Sequence, residues 1–185
     1  MTNLQIHLLT SEHDKHFNTF SLMLWYYIKE LHTMDPVHVT LRTQLQLKQE
    51  YFHGISCSNC YVLLDNDTCI GFAILGTKPN CHPNADIYIE EFYIDNMYRK
   101  KGYGIAFAHM LLDGKYDAIC KENEYLENAK LNAPSKICFY ELPANTGALT
   151  FWKKVFHDWK NCSNDIRDIY PLDWLCWNFY ERQTK

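Results

Sequence analysis

A run of β-forming residues leads within a few positions into a basic turn with two glycines, and then into an apolar helix. Residues 86–94 include three isoleucines and three aromatic residues, which is typical of a buried strand. Arg99-Lys-Lys-Gly102-Tyr-Gly104 follows, and residues 104–112 are almost entirely apolar. The spacing predicts a strand–turn–helix unit with the glycines at the start of the helix.

Such a turn has the properties of an anion site. The first backbone N–H groups of a helix have no partner within the helix, and the helix dipole adds partial positive charge there. Glycines let a ligand approach the backbone closely, so the turn is typical of a phosphate site. The P-loop pattern is absent, and Phe107 stands where a dinucleotide fingerprint needs a third glycine. The alternative is an ordinary helix start beside a solvated basic cluster.

The rest of the chain predicts one mixed α/β domain over residues 1–185. We expect a strand at 4–9, helices from Ser11 to Asp35 and from Thr40 to Gly54, and strands at 60–65 and 69–76. After the central unit come a polar insert at 115–131, a strand at 137–142, an amphipathic helix at 145–156 and a last strand in the tail. No internal repeat or linker is evident, and 185 residues suffice for one core.

Charge and apolar patterning exclude several classes of protein. The net charge of −4 provides no basic surplus for nucleic acid, although it is compatible with a cationic substrate. No apolar run is long enough to span a membrane, and no signal peptide is visible, so we expect a cytoplasmic protein. Cys57 and Cys60 have zinc-ligand spacing, but no second close pair follows. We therefore expect free thiols and no metal.

Two motifs resemble those of the GNAT superfamily of N-acetyltransferases. Arg99-Lys-Lys-Gly102-Tyr-Gly104 is similar to the Arg/Gln-x-x-Gly-x-Gly/Ala signature, and it stands after a strand and before a helix, as in that family. Asn145-x-x-Ala148-x-x-Phe151-Trp152 resembles the second motif, Asn-x-x-Ala-x-x-Phe-Tyr. The stretch from residue 87 to 99 is particularly similar to the spermidine/spermine N-acetyltransferase branch. The likeness covers residues 86–156, and before them only the order of elements is similar.

The resemblance implies a fold and a reaction. The fold is the GNAT fold, a central mixed, mostly antiparallel sheet that is splayed at the acetyl-CoA site and flanked by helices. The reaction is transfer of an acetyl group from acetyl-CoA, as co-substrate, to a primary amine of a small polyamine or diamine. An aminoglycoside-type antibiotic or a protein amine is the alternative acceptor, and a non-catalytic acyl-CoA-binding sensor is the alternative of another class. A homodimer is left open.

The resemblance also implies which residues hold the coenzyme. The turn is expected to wrap the pyrophosphate through its main-chain N–H groups, which belong to Arg99, Lys100, Lys101, Gly102, Tyr103, Gly104 and Ile105. The backbone of Phe92, Tyr93 and Ile94 is expected to pair with the pantetheine arm as an added strand would. Asn145 is expected to bind the pantetheine or to fix the splayed strand, and the alternative is that it only caps its helix.

The reaction needs a proton acceptor, because only about one primary amine in 2,500 is uncharged at pH 7. Glu90 and Glu91 lie next to each other in the predicted strand, and strict alternation would turn one toward the substrate cleft and the other away. In the polyamine branch the first acidic residue of the pair is the candidate base, which corresponds to Glu90. The alternative for either residue is a solvated or helix-paired carboxylate.

Trp152 stands where the family has the tyrosine that assists the leaving thiolate. An indole N–H donates hydrogen bonds but does not release its proton in water, so the usual acid is missing. Tyr140, Tyr170 or water could replace it, or the thiolate could leave unaided. This departure favours the sensor alternative and leaves coenzyme binding unaffected.

Overall fold

The computed structural model describes residues 3–51, 58–77, 85–114, 133–163 and 176–183. The strands are β1 Leu4–Leu8, β2 Ser58–Asp65, β3 Thr68–Thr77, β4 Ile87–Ile94, β5 Lys136–Glu141, β6 Trp159–Asn161 and β7 Cys176–Arg182. The helices are α1 Phe17–Met34, α2 Gln44–Tyr51, α3 Tyr103–Leu112 and α4 Thr146–Val155. The described elements follow the predicted order, with β6 as an addition.

The seven strands form one sheet in the order β1-β2-β3-β4-β5-β7-β6. All neighbours are antiparallel except β4 and β5, which are parallel. Within these two described strands, pairing covers only Ile87–Ile89 against Ile137–Phe139. β4 continues to Ile94 and β5 to Glu141 without pairing to each other, so the two strands diverge. The expectation of a mixed, mostly antiparallel sheet with a splay is confirmed.

A β-bulge in β4 changes which way its side chains point. Ile74 of β3 pairs with Glu91 and Leu75 with Ile89, so Glu90 is an extra residue with no position opposite it. Ile89 and Phe92 therefore pack into the same apolar cluster, although strict alternation would place them on opposite faces. The extra residue moves Glu91 and Tyr93 to the other face of the sheet.

Each face of the sheet carries a separate apolar cluster. On one face α3 and α4 cover a cluster whose buried aromatic residues are Tyr61, Phe107, Phe139, Trp152, Phe156 and Tyr180. On the other face α1 and α2 cover a cluster that includes Phe17, Phe20, Leu24, Leu47 and Phe72. The sheet thus separates an α3/α4 face from an α1/α2 face, and the gap between the diverging strands β4 and β5 connects the two faces.

One arginine fastens α1 to the turn between β4 and α3. The Arg99 guanidinium donates to both carboxylate oxygens of Glu30 at 2.7 Å each, and Arg99 Nε donates to the Ile94 carbonyl oxygen at 2.7 Å. The guanidinium carbon also lies 5.0 Å from the centre of the Tyr93 ring. This bidentate geometry fixes the turn relative to the first helix.

Several local expectations need correction. The first helix begins at Phe17 and not at Ser11, because residues 11–16 form turns in which Asp14 accepts a hydrogen bond from the His16 N–H at 2.9 Å. The second helix begins at Gln44 and not at Thr40, and its predicted end at Gly54 lies outside the described residues. The insert at 115–131, Cys57 and Tyr170 lie outside the described residues. Among the helices that the structure describes, none is long and apolar enough to cross a membrane.

The Arg99–Glu30 pair gives a stability prediction. Replacing Glu30 with alanine should lower the free energy of unfolding by about 1–2 kcal/mol, because it removes two charge-assisted hydrogen bonds from a half-buried guanidinium. Urea unfolding measures the change. The matched control is Asp67→Ala, which breaks the exposed pair with Lys15 at 2.7 Å and should leave the free energy of unfolding nearly unchanged. Equal losses in the two variants would contradict the prediction.

Candidate active site

A cleft opens at the point where β4 and β5 diverge. It is lined from the sheet by Ile89, Glu90, Glu91, Phe92, Phe139, Tyr140, Glu141 and Leu142, and from the helices by residues that include Tyr27, Tyr51, Asn145, Ala148 and Trp152. The predicted catalytic residues Glu90, Glu91 and Trp152 therefore meet in one place, together with Phe92 and Asn145, whereas the turn residues 99–105 are not part of this lining. The cleft reaches both faces of the sheet, because its walls include residues of α1 and of α4.

Glu91 lies on the α1/α2 face with its carboxylate buried. The Tyr51 hydroxyl donates to Glu91 Oε1 at 2.7 Å, and the side chain is only 6% exposed. Burial raises the pKa of Glu91 to about 7, although hydrogen bonds from Tyr27 and Tyr51 oppose the shift. A carboxyl group whose pKa is near neutrality can both accept and release a proton at pH 7.

Glu90 lines the same cleft as Glu91. The expectation that one of the two turns away from the cleft is wrong, because the bulge breaks the alternation and the splay opens the cleft to both faces. The sequence therefore identified two carboxylates of this site but not their relative orientation.

The turn before α3 is shaped to present its backbone. Lys100 and Gly102 both have left-handed conformations, with φ of 62° and 87°. Gly102 is the N-cap residue of α3 and provides no side-chain cap, so the N–H groups of the first helical turn keep their capacity for a ligand. A Cβ at Gly102 would meet nothing within 4 Å. This open, uncapped helix start fits the pyrophosphate of coenzyme A.

Side chains of the turn are engaged within the protein. Arg99 is held by Glu30, Lys101 Nζ donates to the Met97 carbonyl oxygen at 2.9 Å, and the Tyr103 hydroxyl donates to Asp65 Oδ2 at 2.8 Å. Lys100 is exposed. Three side chains of the turn thus have partners within the protein, and the binding of an anion by its main chain, which the resemblance implies, stays a prediction.

Gly104 has a packing role that the sequence did not reveal. A Cβ at this position would lie 3.2 Å from Phe151 Cε2 and 3.5 Å from Ile94 Cγ1. The missing side chain lets α3 approach both α4 and the end of β4. The next residue, Ile105, packs against the α3/α4 cluster.

Asn145 and Trp152 mark the α4 wall of the cleft. Asn145 Oδ1 accepts a hydrogen bond from the Ala148 N–H at 3.1 Å, so the residue caps α4 while it lines the cleft. The Trp152 ring is 6% exposed, and its centre lies 4.9 Å from that of Phe139 and 5.1 Å from that of Phe92. Trp152 is thus both a core residue and a wall residue.

Glu141 is a cleft residue that sequence reasoning missed. It is 6% exposed, and Asn178 Nδ2 donates to its Oε1 at 3.0 Å. Burial raises the pKa of Glu141 to about 7, against the effects of Asn178 and Lys153. One signal was available, since Glu141 continues the apolar positions Ile137 and Phe139 along the strand, where a charged residue is unusual.

The fold and the cleft define an enzyme of the acetyltransferase type. The chain belongs to the acetyltransferase (GNAT) family, whose pattern it matches over residues 25–156. It is therefore an acetyl-CoA-dependent acetyltransferase. No curated relative matches the chain.

Solved structures share the fold at low sequence identity. An acetyltransferase from Thermus thermophilus has a TM-score of 0.59 at 11% identity, and the alignment covers 97% of this chain and 98% of that chain. A GNAT family acetyltransferase from Elizabethkingia anophelis with acetyl-CoA bound has a TM-score of 0.51 at 16% identity, with 98% and 99% covered. Diaminobutyrate acetyltransferase from Paenibacillus lautus, in complex with L-2,4-diaminobutyric acid and coenzyme A, has a TM-score of 0.56 at 9% identity, with 100% and 98% covered.

A substitution at Gly104 separates coenzyme binding from packing. Gly104→Val should destabilise the fold, because its Cβ would lie 3.2 Å from Phe151 Cε2. It should also weaken coenzyme A binding at least tenfold, about 1.4 kcal/mol, because this crowding displaces the start of α3. Adding Phe151→Leu makes room for the new side chain, so stability and affinity should recover together. Calorimetry and thermal unfolding measure the two quantities, and recovery of stability without affinity would show that Gly104 also leaves room for the ligand.

The pKa of Glu91 gives a prediction for stability against pH. Its value in the fold, about 7, lies above its usual 4.5, so the folded chain holds this proton more tightly than the unfolded chain does. The resulting stability is complete below pH 4.5 and is lost as the pH rises through 7.

Glu91→Gln should remove about 1–3 kcal/mol of that decline between pH 4.5 and 8, measured by urea unfolding. The raised pKa of Glu141 causes a further loss of stability over the same pH range. Glu91→Gln should therefore remove only part of the dependence of stability on pH. The matched control is Glu181→Gln, at a half-exposed carboxylate paired with Lys136, and it should keep the full decline. A Glu91→Gln profile that follows the wild type would refute the burial argument.

Proposed function

We propose that this acetyltransferase transfers the acetyl group of acetyl-CoA to a primary amine of a small polyamine or diamine. The observation that carries the proposal is the acidic, tyrosine-lined wall on the α1/α2 side of the cleft, made by Glu90, Glu91, Tyr27, Tyr51 and Tyr140. Carboxylates and aromatic rings are the groups that hold ammonium ions. The likeness of residues 87–99 to the spermidine/spermine branch supports the same acceptor class.

The charge balance of the cleft favours a cation. Among the described residues that line it, Glu90, Glu91 and Glu141 stand against two basic residues, His38 and Arg42. Both basic residues already have acidic partners, because His38 Nδ1 lies 2.9 Å from Asp35 Oδ2 and Arg42 is paired with Glu50. A second ammonium group on the acceptor would gain from the carboxylates of Glu90 and Glu91. The diamino acid bound to the Paenibacillus lautus enzyme is a precedent for an acceptor with two amino groups on this fold.

Coenzyme binding and proton acceptance are assigned to different parts of the cleft. The uncapped start of α3 holds the pyrophosphate through main-chain N–H groups, and the edge of β4 from Phe92 to Ile94, which does not pair with β5, pairs with the pantetheine arm. In this arrangement the thioester lies in the splay. A glutamate on the acceptor side takes the proton of the ammonium, directly or through one water, so that the amine can attack the carbonyl carbon.

A panel of amines tests the acceptor. Release of free thiol from acetyl-CoA is followed with diamines and polyamines, with monoamines of equal length, with an aminoglycoside and with a lysine peptide. We expect diamines to exceed the matched monoamines at least tenfold in kcat/KM, about 1.4 kcal/mol, because only they place a second cation in the acidic cleft. A higher kcat/KM with the aminoglycoside or the peptide than with the diamines would show that the proposed acceptor class is wrong. Tight coenzyme A binding without turnover would select the sensor alternative that Trp152 raises.

The two adjacent glutamates form a matched pair of variants. Glu90→Gln keeps the shape of the side chain and removes proton acceptance, so the rate should fall roughly 100-fold near pH 7. The loss should shrink as the pH approaches the pKa of the amine, because more free amine is then present. If Glu91→Gln shows this pH-dependent loss and Glu90→Gln does not, the base is Glu91, whose pKa of about 7 suits the role.

A further inference from the structure

One of the two carboxyl oxygens of Glu141 has a hydrogen-bond partner among the described residues and the other has none. Asn178 Nδ2 holds Oε1 at 3.0 Å, while Oε2 is shielded from solvent and finds no hydrogen-bond partner among the described residues. Leaving a buried polar atom unpaired costs free energy, and an ionised one costs more. A group of this kind in the wall of a catalytic cleft indicates a partner that arrives with the substrates.

Glu141 lies on the coenzyme side of the cleft. Ile137 and Phe139, four and two residues before it in β5, both belong to the cluster under α3 and α4. Asn178 of β7 pairs with Phe139 and therefore lies on the same face of the sheet. Its hydrogen bond to Glu141 shows that the Glu141 side chain lies on that face too. Tyr140 points to the other face, where its pKa is raised by burial and then by Glu91. Glu141 therefore shares a wall with Trp152, while Glu91 faces the acceptor.

The parallel register places Glu141 at the level of the reacting atoms. Ile89 pairs with Phe139 in the last paired position before the splay, so Glu141 stands two residues beyond it on β5. Glu91 stands two residues beyond it on β4. The two carboxyl groups flank the gap in which the thioester has to lie, one on each face of the sheet.

We propose that Glu141 is the general acid for the departing thiolate and takes the place of the tyrosine that Trp152 replaces. The inference rests on the proposed acetyl transfer. The acceptor-side glutamate first passes the proton of the ammonium to solvent. The amine nitrogen then forms a bond to the carbonyl carbon, whose π electron pair moves to the oxygen until the C=O bond re-forms, and it gives a second proton to that glutamate. The carbon–sulfur bond breaks, its electron pair goes to sulfur, and Glu141 Oε2 gives its proton to that sulfur. The carboxylate of Glu141 regains a proton from the acceptor-side glutamate or from solvent, so protons balance over one turnover.

The neighbours of Glu141 allow it to carry a proton at pH 7. Its surroundings contribute one cation, Lys153 of α4, and two neutral groups of β7, Asn178 and Tyr180. Burial outweighs Lys153, and the pKa is raised to about 7. A thiol has a pKa near 8.5, so transfer from this carboxyl group to a thiolate is downhill.

An equilibrium measurement tests the placement without turnover. The thiolate of bound coenzyme A is titrated by ultraviolet absorbance, with the complex of desulfo-coenzyme A subtracted to cancel the cysteines of the protein. In the wild type the carboxylate of Glu141 should repel a thiolate, and in Glu141→Gln the pKa of the thiol should fall by about one unit, a tenfold change in ionisation constant. Glu181→Gln is the matched control on the same sheet and should titrate as the wild type does.

A rescue experiment tests the catalytic role. Glu141→Gln should slow acetyl transfer roughly 100-fold, and adding Trp152→Tyr should restore at least a tenth of the wild-type rate by supplying a hydroxyl group as the acid. If Glu141→Gln does not fold, Glu141→Asp replaces it, with a smaller shift of the same sign.

Identical thiol titrations in wild type and variant, or an equal shift in Glu181→Gln, would overturn the role of Glu141 alone. A wild-type protein that takes up no coenzyme A would overturn the proposed function and this inference together.

Discussion

The end of pairing between β4 and β5 is the constraint on which the site depends. Three residues of each strand are paired, and from Ile89 and Phe139 onward the strands separate. A separated strand exposes N–H and C=O groups that need partners, and an extended ligand such as the pantetheine arm can satisfy them. The aromatic cluster of Phe92, Phe139 and Trp152 keeps the gap from closing by filling the space beneath it. The opening is thus built into the core and does not have to form on binding.

The bulge at Glu90 decides which chemistry faces which side of that opening. Without the extra residue, Glu91 would lie on the same face as Ile89, beneath α3 and α4, and Tyr51 could not reach it. With it, Glu91 is buried among tyrosines on the α1/α2 face while Phe92 packs on the α3/α4 face. One extra residue therefore separates this carboxyl group from the aromatic floor. Bulges beside active sites commonly redirect a side chain in this way.

The sequence predicted the helices and strands around the site better than it predicted which face of the sheet their side chains occupy. Local signals sufficed for the strand–turn–helix unit, because β-forming residues, glycines and an apolar run report on the backbone within a few positions. The bulge depends on pairing with β3, and the ion pair between Arg99 and Glu30 joins residues 69 positions apart, so neither has a local signature. Gly104 carried a true signal, and only the fold shows that close packing against Phe151 is a cause of it.

Glu141 shows what a departure from a family pattern can indicate. The resemblance implies a tyrosine hydroxyl group at position 152 beside the departing sulfur, and the indole found there does not release its proton in water. The strand that faces it carries a carboxyl group at a position where burial makes a charge costly, so the protonated form is favoured up to about pH 7. If the acid is Glu141 of β5 and not a tyrosine at position 152 of α4, the sulfur can lie in the same place. Only the direction from which its proton comes then differs. Under the proposal positions 141 and 152 depend on each other, because burial of Glu141 costs stability in every case and its carboxyl group supplies the proton that Trp152 does not.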